Sequence, residues 1–224
     1  MPDLKNRADF EAEVALALAR LGQRQQRLLM DALGDPPDLN KVTPEFWNEF
    51  STQLRGELLP ALERIFLHSA EQMLSTSPVG VDWSLVNGAA ATWAERYTFD
   101  LVSGITQNTR TALQQKVGAY YRSGLSLGDL RASLANLFGP VRAEMIAVTE
   151  TTRAAVNGEL AIAAGIREQG INMIAVWQTS NDETVCPVCS PNNQKVQGTT
   201  WSIPPPAHPR CRCWLTHTFA DLAR

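Results

Sequence analysis

Cys186-Pro-Val-Cys189, followed after a loop by His208-Pro-Arg-Cys211-Arg-Cys213, holds all four cysteines of the chain and one of its three histidines. Nothing else in the 224 residues has this chemical density. A C-x-x-C turn sets two sulfurs on one side of a tight loop, and Pro187 stiffens that turn. His208 and Cys211 have the spacing of a second turn. Cys211 and Cys213 are two apart, so in an extended strand both face one side and Arg212 faces the other.

This set of residues is chemically suited to zinc. Zinc takes four tetrahedral ligands from thiolate sulfur and imidazole nitrogen. Cys186 and Cys189 make half of such a site, and His208, Cys211 and Cys213 offer three donors for the other half. Five candidates therefore compete for four places. If His208 ligates, one of Cys211 and Cys213 stands outside the ligand shell. Arg210 and Arg212 can offset the charge of bound thiolates, which are deprotonated. Competing explanations fit less well. Four inert core cysteines would not fall into paired spacing around a histidine. A pair of disulfides needs an oxidising medium. A thioredoxin-like role needs a strand-to-helix start in a βαβ pattern, which the sequence lacks. Thiolate-rich sites are usually closed and no H-E-x-x-H motif occurs, so a structural rather than catalytic metal is expected.

Upstream of Gly170 the sequence is helical in period. Phe10, Val14, Ala17, Leu18, Leu21, Leu28 and Ala32 mark one face of a first helix, ended by Gly34-Asp-Pro-Pro37. Thr43 and Pro44 open a second, with Phe46, Phe50, Leu54, Leu58, Leu62 and Ile65 inward and Pro60 predicting a kink or break. Asp82 caps a third, carrying Trp83, Val86, Ala90, Trp93, Tyr97 and Leu101, which Gly104 is expected to close. A fourth follows over 106–122 with Leu113, Val117 and Tyr121 inward. Ser126 caps a short fifth, bearing Leu127, Leu130, Leu134 and Leu137, and Gly139-Pro140 separates it from a sixth over 141–169. Met145, Val148, Thr152, Val156, Leu160 and Ala163 line that sixth helix, and Gly170 is its C-cap.

After Gly170 the character changes. The run from Ile171 to Trp177 is β-prone, and the rest is short and rich in Pro, Asn, Gly and Thr. A module this small needs a staple, and the cysteines lie where the staple would be. The expected fold is α+β and mainly α-helical, with long helices ahead of a small zinc-stabilised β module. Three segments are expected: a helical region at 1–78, a helical core at 79–170 and the zinc module at 171–224.

Composition narrows the function classes. Apolar residues make up 44% of the chain and the net charge is −3, which allows a packed core and does not suggest a general nucleic-acid binder. Residues 171–224 hold four Lys/Arg against three Asp/Glu, too few for an electrostatic footprint on DNA. The first residues have no apolar run behind a basic tip, so no signal peptide is expected. A cytoplasmic site of synthesis follows, with no membrane span. No Gly-rich phosphate loop, no G-x-S-x-G and no carboxylate pair with a convincing base is present, so the chain is not expected to be an enzyme or to take a small-molecule substrate.

A few further residues have two readings. Thr149-Glu150, with Arg142, Glu144 and Arg153 near it, is either a polar contact that docks the C-terminal module or a solvated helical face, and spacing alone favours the face. Asp182 fits a turn or cap. His68 reads as structural, and His217, alternating with Leu215 and Phe219, as part of a final strand rather than a ligand. Trp177, Trp201 and Trp214 read as a small core against the metal.

From Gly124 to Phe219 the chain resembles the phage Mu F-like minor head proteins, the phage head morphogenesis family. The resemblance is carried by an ordered set: Gly124-Leu-Ser-Leu-Gly-Asp-Leu130 to Leu137, Arg142-Ala-Glu-Met-Ile-Ala-Val-Thr149-Glu150, Gly170, a strand ending in Trp177, Asp182, Cys186-x-x-Cys189, and Pro205-Pro-Ala-His208-Pro-Arg-Cys211-Arg-Cys213. Val148 departs from the pattern, since members commonly carry arginine there. The first hundred residues show no assignable motif.

The resemblance implies a minor head protein of a tailed phage or prophage, present in few copies at the portal vertex or in the virion interior. It would act in head morphogenesis and in DNA packaging or delivery. The portal protein is the implied partner, with major capsid or scaffold proteins as further ones, and Glu150 and Asp182 are expected to make structural polar contacts. Some relatives carry toxin domains after the cysteine block, and none is expected here. The alternative is a zinc-containing DNA-binding module that touches packaged or ejecting DNA.

Overall fold

The computed structural model describes residues 3–77, 79–180, 183 and 185–219. Five helices come first: α1 (Arg7–Leu33), α2 (Pro44–Ser75), α3 (Trp83–Ser123), α4 (Leu127–Phe138) and α5 (Pro140–Glu168). Two strands follow, β1 (Met173–Gln178) and β2 (Trp214–Phe219), and short 3-10 turns lie at Leu39–Lys41 and Ser190–Asn192. The fold is α+β, mainly helical, with a small antiparallel sheet after the helices. None of the described helices is long and apolar enough to cross a membrane.

Local chemistry explains several boundaries. Ser126 and Asp129 form a reciprocal capping box at the start of α4, satisfying backbone donors that the first turn leaves free. Gly34 and Gly170, with φ of +73° and +85°, follow the ends of α1 and α5 in the left-handed conformation that glycine adopts without a Cβ penalty.

At Pro60, where a kink or break is expected, and at Gly104, where a helix end is expected, the helix does not break. α2 runs unbroken through Pro60. Pro60 and Gly56, whose carbonyl loses its partner, are both exposed, so water can satisfy that carbonyl, while Leu58 and Leu62 are fully buried on either side. α3 likewise continues through Gly104, so the third and fourth expected helices are one. Gly104 sits on an exposed face with open space around it. Its propensity cost of about 1 kcal/mol is outweighed by burial of Val102, Ile105, Thr106 and Thr109 beside it.

The chain folds into two compact units, each assembled from separated stretches. One comprises Ala12–Pro60 and Glu95–Met145, the other Met1–Glu11, Ala61–Ala94 and Ile146–Arg224. The three segments expected from the sequence are contiguous, whereas these units are not.

In the first unit, Leu18, Leu21, Leu29 and Leu33 of α1 are buried, with Leu54, Leu58, Leu113, Leu130 and Leu134. Val14, Leu18 and Leu21 of the expected α1 face are buried, but beyond them the face shifts by one residue: Leu28 is 40% exposed while Leu29 is fully buried. The cause is Gln25, which occupies the buried face at 1% exposure and donates to Gln53 at 2.6 Å. Tyr121, expected inward, is exposed, and its hydroxyl donates to the Pro37 carbonyl at 2.6 Å.

In the second unit, Phe66, Ala70 and Met73 of α2 pack with Val86 and Ala90 of α3 and Ile162, Ala163 and Ile166 of α5. Gly158 makes this possible, because a Cβ there would collide with the backbone carbonyl of Phe66. The strands pair in register from Met173 opposite Phe219 to Gln178 opposite Trp214. Everything between them is an insertion, and a bridge from Val176 to Val196 ties part of it back to β1. A second core of this unit gathers Val156, Ala175, Trp177, Trp201 and Leu215 around Cys189, Cys211 and Cys213. Trp177 and Trp201 meet edge to face at 5.4 Å, and Trp214 is half-buried on β2.

Candidate metal centre

The insertion between β1 and β2 brings the five expected donors together. The C-x-x-C turn closes through the Cys189 and Ser190 N–H groups, which donate to the Cys186 carbonyl at 3.1 and 3.0 Å. The Cys189 N–H also reaches the Cys186 sulfur at 3.4 Å. The second turn closes from the Cys211 N–H to the His208 carbonyl at 3.2 Å. Within it Arg210 takes a φ of +63°, an uncommon conformation for a side-chain-bearing residue. Its N–H is held by Thr149 Oγ1 at 2.9 Å.

From Cys211 onward the chain is extended and alternates as the spacing requires. Cys211 and Cys213 are buried, while the Arg212 side chain points the other way and is 56% exposed. Its guanidinium grips both carboxylate oxygens of Glu11, the shortest contact being 2.7 Å.

Two donor triads result, Cys186/Cys189/His208 and Cys189/Cys211/Cys213, each with its ligand atoms mutually within 4.8 Å. Cys189 belongs to both. His208 Nε2 lies 3.0 Å from the Cys186 sulfur and 3.2 Å from that of Cys189. The Cys189 and Cys211 sulfurs are 3.8 Å apart. His208 Nδ1 is 2.8 Å from the Pro209 carbonyl. A carbonyl can only accept, so Nδ1 carries the proton and the lone pair of a neutral ring is left on Nε2, facing the sulfurs. Orientation of a ligating imidazole by its other nitrogen is a usual feature of metal sites.

The electrostatics point the same way. The Cys213 thiol donates to Cys211 and, with backbone N–H groups, brings the Cys211 thiol down to about 5. Burial and the Cys211 charge push Cys189 up to about 12. Donation to Cys211, with burial, drives Cys213 higher still, and the Trp177 indole acts against that rise. Burial works against ionisation of Cys186, but N–H groups of the turn hold it below the ordinary thiol value. Burial also opposes the charged form of His208, yet the Pro209 carbonyl and the neighbouring thiolates raise it. Without a cation, these sulfurs compete to carry negative charge in a small volume. A bound metal ion removes that competition. The described residues can therefore hold a metal ion at this cluster. A cavity of about 320 Å³ opens beside it, lined also by Thr179, Val185, Arg210 and Trp214.

The remaining expected site residues fall as follows. Glu150 is buried at 6% exposure and pairs with Arg153 at 3.3 Å, so it does not lie on a solvated face. The loop is joined to α5 by its neighbours: Thr149 through Arg210, and Thr152, whose hydroxyl donates to the Cys211 carbonyl at 2.6 Å. Asp182 lies outside the described residues. His68 packs edge-on against Phe10 at 5.2 Å. His217 sits opposite Ala175 in the sheet and outside both triads. Burial lowers it to about 4, so it is neutral at pH 7.

Sequence reasoning placed Thr152 on the inward face of its helix without a polar role, and did not find Arg7, Glu11 or Glu159. Arg7 and Glu11 are each 8% exposed near the start of α1, and Arg7 donates to Thr152 Oγ1 at 2.8 Å. Glu159 of α5 is 2% exposed, and burial pushes its carboxyl up to about 8. The available signal was the placing of charged residues within an apolar helical period, which marks a residue as unusual without naming its partner.

Comparison with protein-family models, curated proteins and solved structures finds no match to this chain.

Proposed function

We propose that this chain is a minor head protein of a tailed phage or prophage, built around a structural zinc ion, that acts at the portal vertex in head morphogenesis and in DNA packaging or delivery. The observation that carries the reading is the seating of the ordered motif. The helix bearing Thr149-Glu150 directly supports the loop bearing the cysteines and His208, through Thr149 and Thr152. Thr149-Glu150, Gly170, the strand ending in Trp177 and the cysteine-histidine block thus belong to one compact unit, while residues 124–137 and 142–145 belong to the other.

The donors suit zinc. Tetrahedral ligands at about 2.3 Å for sulfur and 2.0 Å for nitrogen imply edges of about 3.8 Å between sulfurs and about 3.5 Å between nitrogen and sulfur. The Cys189–Cys211 separation of 3.8 Å matches the first, and the His208 contacts of 3.0 and 3.2 Å fall slightly inside the second. We assign Cys186, Cys189, His208 and Cys211 as ligands, with the Cys213 thiol donating to Cys211. Zinc would supply rigidity, since binding at a structural site contributes roughly 10–16 kcal/mol at neutral pH. On this reading the protein is not an enzyme, and its partners are the portal protein and then capsid or scaffold proteins.

Co-expression with the portal protein of the same phage or prophage tests the role. Co-purification through size exclusion at moderate salt is expected. Absence of portal binding together with tight, salt-dependent binding to duplex DNA would replace this reading with the DNA-binding one.

A further inference from the structure

A chain of buried polar contacts leads from the cysteine loop to the start of the chain. Thr152 Oγ1 donates to the Cys211 carbonyl at 2.6 Å and accepts from Arg7 at 2.8 Å, and Thr152 is fully buried. Arg7 is fixed from its other side by Asp3, with Nε 2.9 Å from both carboxylate oxygens. One turn on, Glu11 receives the Arg212 guanidinium at 2.7 Å and stands 3.8 Å from Arg7. Arg212 lies between two of the candidate ligands. Residues 3–5 are also tied to α2, since Gln72 accepts from the Lys5 N–H at 2.8 Å and donates to the Asp3 carbonyl at 3.1 Å.

Burying an arginine and a glutamate is costly unless the surroundings satisfy them. Here Asp3 and the Thr152 hydroxyl satisfy Arg7, and Arg212, on the segment that carries Cys211 and Cys213, satisfies Glu11. We propose that the opening turns of α1 are part of the metal site: Arg7, through Thr152, and Glu11, through Arg212, hold the Cys211–Cys213 segment in its ligating position. Metal binding and docking of residues 3–11 then strengthen each other, and linkage makes the two effects equal. The inference rests on the metal-centre reading and adds positioning residues to it. None of Arg7, Thr152, Glu11 or Arg212 touches the metal.

The test uses the full chain and Zn2+ alone. Zinc affinity is measured by competition with a chromophoric chelator in wild type, Thr152→Val, Thr152→Ser and Glu11→Gln. Loss of a partner behind the ligands is expected to weaken zinc binding about 10- to 100-fold in Thr152→Val and Glu11→Gln. Thr152→Ser, which keeps the hydroxyl, should bind as wild type does. Hydrogen exchange supplies the readout that a merely structural role would not move. Removing zinc from wild type should speed exchange of amides 4–11 and leave those of α4, in the other unit, unchanged. Glu11→Gln guards against a folding failure in Thr152→Val, and the helical signals of the metal-free variants should equal that of metal-free wild type. Zinc binding by wild type with equal affinity in Thr152→Val and Glu11→Gln, or with unchanged exchange at 4–11, overturns this inference alone. No zinc binding by wild type overturns the metal-centre reading and this inference with it.

Discussion

The Cys189 sulfur lies 3.8 Å from the Cys211 sulfur, and Cys189 is the one donor shared by both triads. Cys213, by contrast, belongs to one triad only, where its thiol acts on both Cys211 and Cys189. The two cysteines should therefore respond differently to substitution. Cys189→Ser is expected to abolish stoichiometric zinc, whereas Cys213→Ser should retain close to one equivalent with weaker affinity. Metal analysis of protein purified without added zinc measures both. Full retention in Cys189→Ser, or full loss in Cys213→Ser, would overturn the ligand assignment.

Zinc removal should be felt unevenly. Trp177 and Trp201 share a core with Cys189, Cys211 and Cys213, so chelation should open that core and shift tryptophan emission to the red. The helical cores have their own apolar packing, exemplified by Phe66, Val86 and Ile162 in one unit and Leu58, Leu113 and Leu134 in the other. Far-UV circular dichroism should therefore lose little of its helical signal. Collapse of that signal on chelation would mean that the metal organises far more than its own module.

Two glycines give a contrasting pair. At Gly104, in the exposed interior of α3, an added Cβ meets open space. Gly104→Ala is expected to stabilise by about 0.5–1 kcal/mol. At Gly158 the Cβ would strike the Phe66 carbonyl and come within 3.1 Å of the Ala70 nitrogen. Both are backbone atoms that cannot turn aside, so Gly158→Ala should destabilise by roughly 2–4 kcal/mol. Denaturant melts of both variants beside wild type provide the check, and equal effects would undo the contrast.

These positions also show what the sequence could and could not reveal. The buried face of α4 was legible because apolar period reports which side is buried, β1 because its residues are β-prone, and β2 because Leu215, His217 and Phe219 alternate. The donor set was legible because ligand type and spacing are local chemistry. Gly104 misled, and Pro60 did so for a break, because local breaking tendency was weighed without the packing that overrides it. Leu28 misled because Gln25, a buried polar residue, interrupts the apolar pattern of α1. The Arg7–Thr152 and Arg212–Glu11 contacts span 145 and 201 residues. No periodicity within one chain encodes such a pairing.

Glu159 provides a pH signature that is independent of the metal ligands. Its carboxyl is 2% exposed, and one oxygen has no hydrogen-bond partner among the described residues. Burial raises it from 4.5 to about 8, although the positive charge of Arg7 acts in the opposite direction; the negative charge of Asp3 adds to the rise. In the unfolded chain the same carboxyl ionises near 4.5. Between those two values the unfolded state releases its proton and the folded state keeps it. The unfolded state then binds fewer protons, so stability falls as pH rises through this window. The full effect is present below about pH 4.5 and is lost by about pH 8, and the shift corresponds to on the order of 4–5 kcal/mol. Glu159→Gln keeps the shape and cannot ionise. Metal binding has its own pH dependence, which is common to both proteins and cancels in their difference. Denaturant unfolding of the zinc-loaded pair at pH 5, 6.5 and 8 should show near-equal stability at the lowest pH and a growing advantage for Glu159→Gln as pH rises. Parallel stability profiles would mean that Glu159 ionises in the folded protein much as it does in water.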